Sequence, residues 1–517
     1  HGRALRLLGQ ALLGRGERQE ALATLRRAMA LDPADAEAAF QTGLVLERLA
    51  RLEEAIEYFA LAAALAPRTA RYRSAMGVAH FNLGEHNQAI ADYRAALALD
   101  PGFQEARSNL LMALQHEDPC DHEGLLAEHV AWADAHARCA AMPRASFKNV
   151  RDPQRRLRIG YVSPRFCGGP LAHFFLPLLE AHDRDAVHVT CYSVGDVRDE
   201  SAATMRALAD EWRDAAAQDD DALVDRIRRD AIDILVDLVG HCPGQRLGVF
   251  ARRGAPVQFT WLDYVGTTGV PAIDYVVTDA LHTPVGGPQR FTERVLRLPD
   301  TRLCYRPPQP LPALSRPPAA RRGYVTFGCF NRLAKLGPDV VATWSRILAR
   351  VPDARLVLKA TAFEAEETRA VVRRRFERHG IDSRRLDLRP YTAEAQMMRE
   401  YADLDIALDP FPYNGCTTTC DALAMGVPVV TLTGSTLPGR HGVALLTASG
   451  FPGNIAPSRD EYVELAGRLA ASVATTPSRA EVRDRFLASP VCDAPRFARS
   501  FERLYRDAWA AWCADGV

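Results

Sequence analysis

A helical-repeat array followed by two α/β units, each built on a parallel sheet, is the fold class that this sequence predicts. Three observations carry it. Asp32-Pro33, Ala66-Pro67 and Asp100-Pro101 recur at a spacing of 34 residues. From Leu157 onward, short β-rich runs alternate with helical ones, the pattern of parallel sheets covered by helices. The proline-rich stretch Arg306 to Pro318 then divides those runs into two sets.

The repeat comes first. At one offset in each unit stand Gly9, Gly43 and Gly77, and at later offsets Ala21, Ala55 and Ala89, then Leu25, Phe59 and Tyr93, then Ala28, Ala62 and Ala96. Small residues at fixed offsets let two antiparallel helices pack closely, and the proline closes each pair. The pattern resembles the tetratricopeptide repeat. A fourth unit starts near Gly102 and decays by His116. Such repeats stack into a solenoid whose concave face takes extended peptides, although capping the next domain or pairing two copies fits equally well. His122 to Ala141 is helical in pattern, and Met142 to Arg155 is polar and proline-punctuated, a linker.

In the first α/β unit, strands are expected at 157–163, 187–193, 232–240, 256–262 and 274–279, with helices at Ala202–Trp212 and Asp220–Arg229. In the second, strands are expected at 324–330, 355–360, 385–391, 405–409 and 428–432, with helices at Pro338–Arg350 and Glu364–His379. The tail Arg496 to Trp512 is amphipathic, with Phe497, Phe501, Leu504, Tyr505, Ala508 and Trp512 on one side, and is expected to pack back across the two units.

With 517 residues the chain is long enough for about three domains. Its 64 basic and 64 acidic residues cancel, which removes a global case for nucleic-acid or membrane-surface binding. Eleven cysteines without a CxxC pair fit a reduced, cytoplasmic compartment. No apolar run reaches membrane-spanning length and no signal-peptide pattern opens the chain. It begins at His1, so the number of repeats upstream is open.

Chemistry concentrates between Asp405 and Gly434. A short strand stops at Asp409 and Pro410, Asn414-Gly415 supplies a turn, and Thr417, Thr418 and Thr419 begin a helix that ends at Gly426. A helix start at the carboxyl end of a parallel strand is an anion site, because its free N–H groups and dipole face the ligand. Asp421, one turn in, is placed to reach a sugar hydroxyl. An ordinary βαβ unit with a threonine cap would read the same. Lys335, in the loop after the strand ending at Phe330, points into the same cleft mouth and suits a diphosphate leaving group. Asp403-Leu-Asp405 reads as charge at a strand entry, Asp219-Asp-Asp221 as a helix start, and Cys416 with Cys420 lacks two further ligands for zinc.

In order along the chain, the repeats, LRIGYVS, PVQ-x-x-WL-x-Y-x-GTTG, FGCFNRLAK and LDPFPYNG-x-TTTCDAL-x-MGVPVVTL resemble the O-linked N-acetylglucosamine transferase family, closest to its SPINDLY-like branch. The resemblance covers nearly the whole chain. It implies a GT-B glycosyltransferase of two Rossmann-like domains, inverting, with no required metal or other cofactor, using UDP-N-acetylglucosamine as donor and protein Ser or Thr as acceptor. By resemblance Lys335 contacts the donor diphosphate, Thr417 and Thr418 lie at the phosphate-binding helix start beside Gly415 and Thr419, and Asp421 sits on the ribose. Gly266, Thr267, Thr268 and Gly269 line the sugar and acceptor side, and His173 is the second histidine of an F-x-x-HP-x-x-H motif.

The departures from that pattern are specific. Gly169 stands where the family has histidine and Arg165 where it has aspartate. Met397 replaces a histidine against the nucleotide base, and Arg332 replaces a polar residue. The general base is therefore open, with His173 and His241, at a strand end in LVGHCPG, as catalytic candidates. Two alternatives accompany UDP-N-acetylglucosamine transfer: protein O-fucosylation from GDP-fucose, and an inactive member serving as a repeat-based binding module. The expected division is repeats over 1–118, a helical linker over 119–155, a first catalytic domain over 156–305, a linker over 306–321, a nucleotide-sugar domain over 322–490 and a C-terminal helix over 491–517. Expected partners are protein acceptors on the repeats, the nucleotide sugar and a second copy of the chain.

Overall fold

The computed structural model describes residues 1–137, 143, 146–473 and 478–515. Eight helices open the chain: α1 Gly2–Gly14, α2 Arg18–Leu31, α3 Ala36–Arg48, α4 Leu52–Leu65, α5 Ala70–Asn82, α6 His86–Leu99, α7 Gln104–Leu114 and α8 His122–His136. The packing logic of the repeat is visible atom by atom. A Cβ on Gly9, Gly43 or Gly77 would lie 2.6 Å from Leu25, 2.5 Å from Phe59 or 2.7 Å from Tyr93. Each large residue thus fills the notch that glycine leaves on the preceding helix. Gly43→Ala is expected to lower stability by about 1–3 kcal/mol, because the buried Phe59 ring has no room to yield; urea unfolding followed by circular dichroism measures it. The helix expected over 122–141 is described to His136, and 138–142 and 144–145 lie outside the described residues.

Two wholly parallel sheets follow. The first contains β1 Leu157–Ser163, β2 Val187–Ser193, β3 Glu211–Asp214, β4 Ile234–Asp237, β5 Val257–Thr260, β6 Tyr275–Asp279 and β7 Arg294–Leu298, in the order β3-β2-β1-β4-β5-β6-β7. The second contains β8 Thr326–Cys329, β9 Arg355–Lys359, β10 Leu386–Arg389, β11 Ile406–Leu408, β12 Val429–Leu432 and β13 Ile455–Ala456, in the order β10-β9-β8-β11-β12-β13. Both orders reverse direction once, at β1/β4 and at β8/β11, and that reversal opens a crevice at the carboxyl ends of the strands. The first lobe carries α9 Pro170–Ala181, α10 Glu200–Leu208, α11 Asp220–Arg229 and α12 Leu247–Ala251. The second carries α13 Ala319–Arg322, α14 Pro338–Arg350, α15 Glu366–Glu377, α16 Glu394–Glu400, α17 Thr417–Ala424, α18 His441–Ala448, α19 Arg459–Ala471 and α20 Arg479–Leu487.

One expectation is corrected. The helix expected over Ala202–Trp212 stops at Leu208, and Glu211–Asp214 pairs with β2 as an edge strand. Its polar, half-exposed residues carry no alternation to betray it. The last helix, α21 Ala494–Ala514, buries Phe497, Phe501, Tyr505, Ala508, Trp509 and Trp512, and packs mainly on α9, β5 and β7 of the first lobe, with the turn Pro490–Cys492 after α20 at its start. β7 and β13 were not foreseen. Asp405, by contrast, serves its strand entry by accepting from the amides of Ala319 (3.0 Å) and Thr326 (2.8 Å).

The repeats are docked, not tethered. The α5–α6 turn sits on the short 3₁₀ turn Leu333–Lys335: His86 Nε2 bonds Ala334 O at 2.7 Å, and Gly84, at φ +81°, runs so close that a Cβ would meet Leu336 O at 2.9 Å. Arg375 of α15 donates to Leu83 O (2.7 Å) and pairs with Glu85 (2.8 Å). The His116 ring, just past α7, stacks on Tyr413 with centroids 4.8 Å apart. The repeat array therefore braces from behind the turn that bears Lys335.

Candidate active site

The loops leaving β8 and β11 form the crevice of the second lobe. Lys335 reaches across it, its Nζ donating to Asn414 O at 2.6 Å and to Asn331 Oδ1 at 3.2 Å, 4.8 Å from the centre of the Tyr413 ring. Among the described residues it makes no ion pair. Burial pulls its pKa down to about 8, opposed by the carboxylate of Asp409. Asp409, at the end of β11, is itself buried, accepts from Gly415 N (2.6 Å) and Thr431 Oγ1 (2.7 Å), and is pushed up to about 7 by desolvation.

Gly415 is demanded by close approach: a Cβ there would lie 2.6 Å from Thr418 Oγ1 and 3.0 Å from Asp409 Oδ1. This presses the loop against the start of α17, whose N-cap, Cys416, supplies no side-chain acceptor. Thr417 and Thr418 line the helix start and Thr419 is buried behind them. The Thr418 hydroxyl oxygen is buried and has no hydrogen-bond partner among the described residues. A helix start with an uncapped N-terminus, a spare hydroxyl and a neighbouring cation offers donors and positive potential of the kind an anion takes. The far end closes at Gly426, φ +68°, where a Cβ would lie 2.3 Å from Arg479 O.

Asp421 is 2 % exposed and lies behind that helix start, its Oδ1 accepting from the Tyr305 hydroxyl, and burial pushes it up to about 6. Met397 is half-buried on α16, against the central core. Arg332 is exposed at the crevice mouth, close enough to help lower the Asp263 carboxyl.

On the first lobe, His173 stands on α9 with both nitrogens committed: Nε2 pairs with Glu394 at 2.8 Å and Nδ1 meets Arg306 O at 3.1 Å. Burial works against its charge, but Glu394 and Asp421 outweigh it and raise its pKa, and the pair with Glu394 clasps α9 to α16. His241 is 3 % exposed, its Nε2 on Thr268 O at 2.8 Å, its ring enclosed by Trp132, His129 and Tyr264, and burial holds it well below the usual histidine range. The threonines after Gly266 are spent on one buried carboxylate: Thr267 Oγ1 donates to Glu293 Oε2 at 2.6 Å and Thr268 N to Oε1 at 2.8 Å. Gly266 faces Gln115 of the repeats, and Gly269, at φ +74°, packs where a Cβ would lie 2.3 Å from His129 O.

Asp263, which sequence reasoning passed over, follows Leu262, a non-glycine residue at φ +93°. Backbone held in that region is strained and gathers at functional sites. Its carboxylate bonds Arg165 at 3.1 Å, and burial raises it against the pull of Arg165 and Arg332. So Arg165 orients a carboxylate on the first-lobe wall. Asp409, Tyr413 and Asn414 were likewise missed as a framework for Lys335; the Asp-x₃-Tyr-Asn spacing is a signal only once the strand end is known.

A family model described as glycosyl transferase family 41 matches residues 122–312 and 320–501, and tetratricopeptide models match 36–69 and 70–103. A protein of Arabidopsis thaliana named probable UDP-N-acetylglucosamine–peptide N-acetylglucosaminyltransferase SPINDLY is 38 % identical over 425 residues, covering 81 % of this chain and 46 % of that protein. A second from the same plant, the probable transferase SEC, is 31 % identical over 377 residues, covering 70 % and 38 %. The chain thus spans less than half the length of these relatives. A solved structure titled as an O-GlcNAc transferase mutant of Thermobaculum terrenum superposes with a TM-score of 0.90 at 35 % identity, covering 100 % of this chain and 98 % of that one.

Proposed function

This chain belongs to glycosyl transferase family 41, and on that premise we propose that it is a protein O-glycosyltransferase moving N-acetylglucosamine from UDP-N-acetylglucosamine to serine or threonine of protein acceptors. The relatives' names specify that sugar and nucleotide, which favours this donor over GDP-fucose. The carrying observation is Lys335: a cation that makes no ion pair among the described residues, tied to a loop that runs into an uncapped helix start. The acceptor hydroxyl attacks the anomeric carbon, the bond from that carbon to the diphosphate oxygen breaks, and negative charge builds on the leaving nucleotide. Lys335 and the first N–H groups of α17 meet that charge. The hydroxyl proton departs toward the first-lobe wall, where Asp263 is the available carboxylate; His173 and His241 have their acceptor positions committed or enclosed. The repeats, docked behind the Lys335 turn, present the acceptor.

Calorimetric titration of the chain with UDP, GDP and their N-acetylglucosamine and fucose sugars tests this reading. Saturable binding of the uridine compounds alone is the expected result; selective guanosine binding would replace the donor, and no binding by the folded chain would overturn the enzyme reading. Thr418→Val sharpens it. Among the described residues the hydroxyl has no partner to lose, so unfolding should shift by less than about 0.5 kcal/mol. UDP affinity should fall by about tenfold or more, the worth of one hydrogen bond to a charged group.

A further inference from the structure

Three buried side chains cross the seam between the lobes, and none has a part in the reaction so far. Asp279 ends β6; it and His282 are fully buried, and His441, at the start of α18, is 3 % exposed. Asp279 Oδ2 meets His282 Nδ1 at 2.6 Å, and His282 Nε2 meets His441 Nδ1 at 3.0 Å. Asp279 also accepts from the amides of Leu281 (2.8 Å), His282 (2.7 Å) and Arg302 (2.6 Å). Burial opposes its charge, but His282 and these amides hold it down at about 2. Arg440 crosses the same seam to Leu281 O at 2.7 Å.

His441 borders the crevice of Lys335. The amide of the next residue, Gly442, donates to Asn414 Oδ1 at 3.4 Å, and Asn414 O is the carbonyl that Lys335 holds. The His441 and Tyr413 rings are 6.3 Å apart. Facing His441 are His282 and Arg302 from the first lobe, and Lys335, Tyr413 and, across Gly442, Asp409 from its own, with Arg440 preceding it. Among the described residues its Nε2 has no protein partner.

We infer that Asp279, His282 and His441 form a proton relay, completed only where the lobes meet, that directs an N–H of His441 at the diphosphate of the nucleotide donor. The inference rests on the donor reading above. Its logic is tautomeric. An ionised carboxylate only accepts, so His282 carries a proton on Nδ1. Neutral His282 then offers a lone pair at Nε2, His441 donates from Nδ1, and its own Nε2 is a bare acceptor that repels a phosphate oxygen. One added proton reverses the chain: His282 donates from Nε2, His441 accepts at Nδ1, and His441 Nε2–H becomes a donor to the anion. Burial and the cations around it hold His441 well below the usual histidine range in the free chain. In the relay, diphosphate binding draws one proton from solvent onto the hydrogen-bonded His282–His441 pair.

Calorimetry of the whole chain with UDP-N-acetylglucosamine near pH 7, in buffers of different ionisation enthalpy, tests the relay. The phosphates of this donor are diesters that do not titrate there, and Lys335, near 8, is already mostly charged. The expected result is uptake of about one proton per donor bound, with affinity falling by up to about tenfold per pH unit, and loss of that uptake in His441→Asn and His282→Asn. Absence of uptake in the wild type, or uptake unchanged in folded His441→Asn, overturns the relay while leaving the donor reading intact. Failure of every uridine compound to bind overturns both. Because His282 is buried and its variant is liable to misfold, the imidazole ¹⁵N shifts of the wild-type complex give a variant-free readout: an imidazolium at His282 supports the relay, and a neutral ring overturns it.

Discussion

Lys335→Ala is expected to lower turnover by about a hundred- to a thousand-fold, the cost of removing one preorganised group that meets transition-state charge. The fold should survive. Lys335 is half-buried and holds only Asn414 O and Asn331, while the turn that carries it is braced by His86 and Gly84 of the repeats. UDP affinity should fall with the rate, since the same cation meets the ground-state diphosphate. The pH dependence follows from the depressed pKa. Lys335 is charged below about 8 and neutral above it, so wild-type UDP affinity declines as pH rises through that value. The alanine variant lacks that limb and keeps only the decline that the relay sets. Initial rates and calorimetry between pH 6 and 9 measure both; a variant that keeps wild-type rate and affinity would remove Lys335 from the site.

Asp409→Ala is expected to be the most destabilising single change at the crevice, by about 2–4 kcal/mol, because two buried donors lose their acceptor. It strips the acceptor from Gly415 N and Thr431 Oγ1, both buried, and removes the charge that opposes the fall of the Lys335 pKa. Because Gly415 sets the approach of the loop to α17, nucleotide binding should vanish in the variant even where it remains folded. Asp409→Asn, which keeps an acceptor, should cost less. The wild-type carboxyl is raised to about 7 from an ordinary 3.8. The native chain therefore holds a proton that the unfolded chain has released. This contribution to stability is fully present below pH 3.8 and is lost as pH rises through about 7. Urea unfolding at pH 5 and pH 8 reads that difference, and Asp409→Asn should abolish it.

Much of the scaffold could be read from local pattern. β1, β2, α11 and α14 fall on the expected residues, because alternation, helix period and capping aspartate or proline are properties of adjacent residues. The strand–loop–helix unit from Ile406 to Ala424 was equally plain, since glycine, threonine and proline punctuate it. Where those signals fade the reading failed. Glu211–Asp214 is a polar edge strand that offers no periodicity, and β13 is only two residues long.

By itself the sequence determined the repeat register, the two-lobed plan and the strand–loop–helix unit that carries Thr417 and Thr418, each written in neighbouring residues or a fixed period. Only the tertiary structure decided which groups meet between distant segments. Arg165 and Asp263 lie 98 residues apart, and His282 and His441 lie 159 apart. His173, expected as a catalytic candidate, spends both nitrogens in a clasp, and His241 is walled in by α8 and Tyr264. The reason is physical. Periodicity records which face of an element is buried, whereas a site at the carboxyl ends of two sheets is assembled by loops, and their partners are chosen by the packing of one lobe on the other.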